Sequence, residues 1–157
     1  MEQKITTYLW FDHQAEEAAT FYTSLFPGSR IVSVQRHGEA GPGEAQKVMM
    51  VEFELAGQRF LALNGGPQFT FTEAISLYVN CESQEEVDAL WAKLTEGGEE
   101  SQCGWLKDRW GLSWQIIPRQ LPELLQHPDP ATAQQVMKAM LGMQKIDIGA
   151  LRAAAGE

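Results

Sequence analysis

One stretch of this chain repeats at a constant offset of 69 residues, and that repeat limits the possible folds more than any other feature of the sequence. Residues 15 to 28, Ala-Glu-Glu-Ala-Ala-Thr-Phe-Tyr-Thr-Ser-Leu-Phe-Pro-Gly, align with residues 84 to 97, Gln-Glu-Glu-Val-Asp-Ala-Leu-Trp-Ala-Lys-Leu-Thr-Glu-Gly. Glu16-Glu17 fall on Glu85-Glu86, Phe21 on Leu90, Tyr22 on Trp91, Leu25 on Leu94 and Gly28 on Gly97. Each copy spells an amphipathic helix. Ala18, Phe21, Tyr22 and Leu25 recur at i, i+3, i+4 and i+7, as do Val87, Leu90, Trp91 and Leu94. The paired glutamates sit in the first turn, where the helix dipole favours negative charge, and a glycine closes each copy. Ser83 is placed to cap the second helix.

The flanking segments repeat too. A strand-like run precedes each helix, Thr6 to Phe11 and Ile75 to Val79. Three more follow the first helix: Ser29 to Arg36, Gln46 to Leu55 and Gln58 to Leu63, the last two joined by a tight turn at Ala56-Gly57. After the second helix the runs are shorter: Glu99 to Cys103, Trp105 to Asp108 and Leu112 to Ile117, with turns at Gly104 and Gly111. The order is βαβββ followed by βαβββ. The fold class is therefore α+β, with two modules of about residues 4–66 and 70–118 forming one domain. Glu39 to Glu44 reads as a mobile loop at the mouth of a shared cavity. In the tail of about residues 119–157, Pro118 and Pro122 end the last strand. Asp129-Pro130 opens one C-terminal helix with an apolar stripe at Val136, Met137, Met140 and Leu141.

The net charge of −9, with no basic cluster, argues against nucleic acid as a partner. No apolar run reaches the length of a membrane helix, and no signal-like segment opens the chain. The two cysteines, Cys81 and Cys103, supply neither a disulfide framework nor a metal-binding spacing. The expectation is a cytoplasmic homodimer.

Several segments carry a resemblance to a known family: Tyr8-Leu9-Trp10-Phe11, Ala18 through Tyr22, Phe60-Leu61-Ala62-Leu63-Asn64-Gly65-Gly66-Pro67, Gln102 through Asp108, Gly111 through Gln115, and Met143 through Ile148. With these the chain resembles the PhnB-like group of the vicinal oxygen chelate superfamily, whose members are often labelled 3-demethylubiquinone-9 3-methyltransferase. The superfamily includes glyoxalases, extradiol dioxygenases and bleomycin-resistance proteins. The resemblance implies a concave mixed sheet around a small-molecule cavity. In metal-dependent members it also implies ligands on the first and last strand of each half.

Carried over residue by residue, those ligand positions fall at Thr6, Leu61, Ala74 and Gln115. None is a good divalent-metal ligand, and Gln115 keeps the size of a glutamate without its charge. His13, His37 and His127 lie in turns and in the tail, so no metal and no cofactor is expected. Strand alternation turns Tyr8 and Trp10, and likewise Ser76, Tyr78 and Gln115, towards the cavity, and these five are the expected ligand-binding residues. Trp114 turns the other way.

For catalysis the candidates are Gln115 and Cys103, although Cys103 has no histidine to activate it. Asn64-Gly65-Gly66 follows a strand, but neither the helix nor the acid of a nucleotide fold comes after it. The leading expectation is a small-molecule-binding protein with a degenerate metal site. The alternatives are a metal-independent lyase, isomerase or transferase on a small oxygenated or aromatic substrate, and a module that sequesters a toxic compound.

Overall fold

The computed structural model describes residues 2–41 and 44–157. The chain divides into two compact units, Met1–Thr70 and Phe71–Glu157. The first contains β1 (Thr7–Phe11), α1 (Ala15–Leu25), β2 (Arg30–Arg36), β3 (Val48–Leu55) and β4 (Gln58–Asn64). Its sheet runs β1-β4-β3-β2, with β1 parallel to β4 and the other pairs antiparallel. The second contains β5 (Ser76–Cys81), α2 (Gln84–Thr95), β6 (Glu99–Glu100), β7 (Trp105–Lys107) and β8 (Ser113–Pro118). Its order, β5-β8-β7-β6, repeats that of the first, again with one parallel pair. Two four-stranded mixed sheets, each with its own helix, thus realise the α+β fold and the βαβββ repeat.

Each helix covers one sheet face through the side chains that the periodicity picks out. In the first unit Ala18 and Tyr22 are buried with Leu9, Phe11, Val51, Phe53, Phe60 and Ala62. The Phe53 and Phe60 rings stack at 5.5 Å. In the second unit Val87, Leu90, Trp91 and Leu94 are buried with Leu106, Trp114 and Ile116. Ser83 caps α2 as expected, taking the Glu86 amide at 3.2 Å, while the Glu86 carboxylate reaches back to the Glu82 amide at 3.0 Å. The α1 start has no such neighbour in sequence. Asn64 at the end of β4 serves instead, taking the Ala15 amide at 2.8 Å and donating to the Val48 carbonyl at 3.1 Å. Ala56 and Gly57 both have positive φ, the two-residue hairpin geometry that their sequence announces.

Two expectations need correction. The strand expected over Glu99 to Cys103 is only two residues long. Cys103 and Gly104 both adopt positive φ, and their amides donate to Met143 and Gln144 of the tail, each at 2.8 Å, instead of to a neighbouring strand. The tail holds three helices where one was expected: α3 (Gln120–Leu125), α4 (Pro130–Leu141) and α5 (Ile148–Ala154). Pro122 does not prevent α3, because it falls in the first turn, where a helix leaves its amides unpaired anyway. Asp147 caps α5 through the Ala150 amide at 3.0 Å. Of the expected mobile loop Glu39 to Glu44, residues 42 and 43 lie outside the described residues.

The tail packs within the second unit of its own chain. Leu121, Val136, Ile146 and Leu151 form a small core with Ile117 of β8. Gln84 at the start of α2 binds it further, donating to the Ile146 carbonyl at 3.0 Å and accepting from the Ile148 amide at 2.8 Å. Lys145 pairs with Asp88 at 2.9 Å.

Cys81 is fully buried at the end of β5. Burial foremost, with Glu86 and Glu82 adding, pushes its thiol up to about 12. An unfolded thiol ionises near 8.5, so below that both states hold the proton. From about pH 9 to 12 only the unfolded state releases it, and stability falls as pH rises, by about 1.4 kcal/mol per unit. Denaturant unfolding at pH 8, 9 and 9.5, below the range in which the raised Tyr78 and Lys107 take part, should show this slope in the wild type, and the Cys81→Ala variant should lose most of it.

Candidate functional site

Register and alternation define which side chains leave each sheet on the face away from its helix. In the first unit β1, β4 and β3 align Tyr8 with Leu61 and Glu52, and Trp10 with Leu63 and Met50. Leu9 and Phe11 are buried, so Tyr8 and Trp10 occupy this distal face. Tyr8 is 52 % exposed. Trp10 is engaged locally: its indole N–H donates to the Gly66 carbonyl at 2.9 Å, and Phe69 meets its ring edge-on at 4.8 Å. The ring lies so close over Gly65 that even an alanine Cβ there would collide with it. This explains the Gly65-Gly66 pair as packing against a tryptophan. Glu52, absent from the expected site, also lies on the distal face, paired with Arg59 at 3.4 Å.

In the second unit Tyr78, Gln115 and Trp105 share one register position across β5, β8 and β7, and Ser76, Ser113 and Lys107 share the next. Trp114 and Ile116 are buried under α2, so alternation sends Ser113, Gln115 and Ile117 to the distal face. Trp114 thus points away from Gln115, as its place in the strand requires. The Gln115 side-chain amide donates to Ser76 Oγ at 3.0 Å. Tyr78 is 48 % exposed. Partial burial raises its phenol above the ordinary value, and at neutral pH the group is a hydrogen-bond donor with or without that shift. Ile117 is covered by the tail core, which closes one end of this face.

The structure therefore brings Ser76, Tyr78 and Gln115 together on one face, and adds Ser113, which alternation counts directly from Gln115, and Trp105 and Lys107, which need the pairing register of β7 with β8. Cys103 does not join them from a strand. It sits in the turn between β6 and β7, with φ of 58° and its amide held by the tail. The expected metal positions do not form a donor set: Leu61 and Ala74 have no ligating atom, and Gln115 is tied to Ser76. Among the described residues no cluster of three or more His, Cys, Asp or Glu is placed to hold a metal ion. No helix among the described residues is long and apolar enough to cross a membrane.

A cleft of about 650 Å³ lies elsewhere in the first unit, lined by His13, Gln14, Glu17, Arg36, His37 and Asn64 among others. Part of its polar lining already has tasks, although the buried Nδ1 of His37 has no hydrogen-bond partner. Arg36 donates to the Gln46 carbonyl at 3.1 Å, and Asn64 caps α1. With acidic and basic side chains mixed along its walls, the cleft is the seam where the β2–β3 loop meets the start of α1. The distal face of the second sheet has the more coherent chemistry.

Comparison with known proteins agrees with this architecture. The family model described as 3-demethylubiquinone-9 3-methyltransferase matches residues 3–117. The structure of the PhnB protein from Bacillus cereus is 44% identical with a TM-score of 0.69, the match covering 74% of this chain and 99% of that one. A protein from Pseudomonas aeruginosa matches at 21% identity and a TM-score of 0.62, over 74% of this chain and 98% of that one. A glyoxalase/bleomycin resistance protein from Albidiferax ferrireducens aligns at 19% identity and a TM-score of 0.47, over 74% and 99%. No curated protein sequence matches the chain. The family match ends at residue 117, so α3, α4 and α5 lie beyond it.

Proposed function

Since the chain belongs to the PhnB-like family described as 3-demethylubiquinone-9 3-methyltransferase, we propose that it binds a small molecule on the distal face of its second sheet, without a divalent metal. One observation carries this reading: an amide, Gln115, stands between two aromatic side chains, Tyr78 and Trp105, in a single row across three strands. A large aromatic left half-exposed beside an oriented polar group is the usual make-up of a ligand bed, with apolar area for affinity and few polar atoms for orientation. Gln115 occupies the position where metal-dependent relatives are expected to place a carboxylate, and its bond to Ser76 fixes the amide so that its carbonyl oxygen can accept from a ligand. Tyr8 and Trp10 stay in the proposal as ligand-binding residues on the distal face of their own sheet, with Trp10 contributing less because it is held by Gly66 and Phe69. The expected homodimer and the single-domain organisation remain part of this proposal.

The methyl transfer in the family description supplies no step here. Asn64, Gly65 and Gly66 cap a helix and pack a tryptophan, which leaves them no nucleotide-binding task. Gln115 and Cys103 stay candidates for catalysis only in so far as a bound ligand presents a reacting group to them.

The reading is tested by a thermal-shift screen of the full chain against a metabolite library, in the presence and absence of a chelator. A ligand at a hundred times its Kd adds about 2.7 kcal/mol, a rise of roughly 5–10 °C in Tm for a chain of this size. The expected result is a hit whose shift is unchanged by the chelator and lost in Gln115→Leu. Hits that require added divalent metal, or that keep their full shift in Gln115→Leu, contradict it.

A further inference from the structure

The second row of the distal face contains more donors than acceptors. Ser76, Ser113 and Lys107 stand side by side on β5, β8 and β7. Ser76 Oγ accepts the Gln115 amide, which leaves its own proton to give. Ser113 is fully buried and its hydroxyl has no partner. The Lys107 ammonium has three N–H donors, and Glu73, on the segment leading into β5, meets it at 2.6 Å. Glu73, by hydrogen bond and charge, raises the Lys107 pKa above its ordinary value, and Glu99, the register partner of Lys107 on β6, adds to this. The ammonium is therefore fixed as a cation, and the charged groups facing it are two carboxylates.

We propose that this row receives the carboxylate of a planar aromatic acid, and that Glu73 is an internal placeholder which the ligand displaces from Lys107. The inference rests on the ligand bed proposed above, since the ring would lie along Tyr78, Gln115 and Trp105. Three features favour a monoanionic carboxylate. A carboxylate already occupies Lys107, so the ammonium is positioned for a group of that shape and charge. Glu99 stays in place and opposes a dianion such as phosphate. The pair being displaced is exposed, at 36% and 63% side-chain accessibility, and an exposed pair holds its partners weakly. The hydroxyls of Ser76 and Ser113 would then take the carboxylate oxygens, giving Ser113 the acceptor it lacks.

The test uses the full chain with 2-naphthoate and its neutral counterpart 2-naphthamide, titrated by tryptophan fluorescence. The expected result is that the acid binds about tenfold more tightly than the amide, as hydrogen bonds to a charged group imply. Lys107→Met should abolish that preference, and Glu73→Gln should raise affinity for the acid alone. Ser113→Ala should weaken the acid without lowering Tm, because a hydroxyl with no partner contributes nothing to the fold. Equal binding of the two probes, or a preference that survives Lys107→Met, overturns the carboxylate assignment while leaving the ligand bed standing. Failure of both probes to bind overturns the aromatic-acid assignment, while the ligand bed is decided separately by the thermal-shift screen and Gln115→Leu.

Discussion

Replacing Asp108 with alanine is expected to lower the stability of the second unit by about 3–5 kcal/mol. Asp108 is 3% exposed and follows β7 at the start of the turn into β8. One carboxylate oxygen takes the amides of Trp110 at 2.9 Å and Leu112 at 3.1 Å, and the other takes the indole N–H of Trp114 at 2.9 Å. Alanine leaves these donors without the acceptor, and each buried donor left unpaired costs about 1–3 kcal/mol. Trp114 is also the largest fully buried side chain, so its tilt is felt across the core under α2. Asp108→Asn should cost less, about 1–3 kcal/mol, because one oxygen still accepts while the new NH2 faces the indole donor. Urea unfolding followed by tryptophan fluorescence measures both. A loss below about 1 kcal/mol for alanine would mean that other groups hold the turn.

The second large effect is expected at Ile146. This residue is fully buried between Ile117, Val136 and Leu151, and approaches Gly104 so closely that a side chain there would meet it. Ile146→Ala removes three carbons from a closed space and should cost about 2–5 kcal/mol, whereas Leu141→Ala, at a position 60% exposed, should change stability by about 0.5 kcal/mol or less. Because the tail contacts arise within one chain, the loss should be the same at low and high protein concentration. A loss that grows on dilution would place the tail on a second copy instead.

The two effects mark which parts of the fold could be read in advance. Helix positions were legible because Val87, Leu90, Trp91 and Leu94 recur at the helical period and nothing competes with it. The hairpin at Ala56-Gly57 was legible because only a few residues accept positive φ in pairs. The shortening of β6 was not. It depends on Cys103 and Gly104 giving their amides to Met143 and Gln144, about forty residues away, and no local pattern encodes such a bond. Helix α5 was missed for a related reason. At seven residues it is too short to stand on its own propensity, and it is held by Gln84 and the tail core.

Parity alone gives the face that Tyr8, Ser76, Tyr78 and Gln115 occupy, each on its own sheet, since side chains alternate strictly along regular strands. The partners across the sheet, Trp105, Lys107 and Glu52, need register, which is set by hairpins and bulges rather than by composition. Trp10 was placed on the correct face, but its commitment to Gly66 and Phe69 depends on a loop that folds back over it.

The central claim, that the row of Tyr78, Gln115 and Trp105 is a ligand bed working without metal, is tested most directly by nuclear magnetic resonance. The 15N-labelled full chain would be titrated, in the presence of a chelator, with a ligand found by thermal shift. The account predicts that the Gln115 side-chain amide signals, absent from Gln115→Leu, move together with the backbone amides of Ser76, Tyr78 and Trp105, while those lining the cleft at His13 and His37 stay still. Shifts confined to the His13–His37 cleft, or shifts that appear only once a divalent ion is restored, would contradict it.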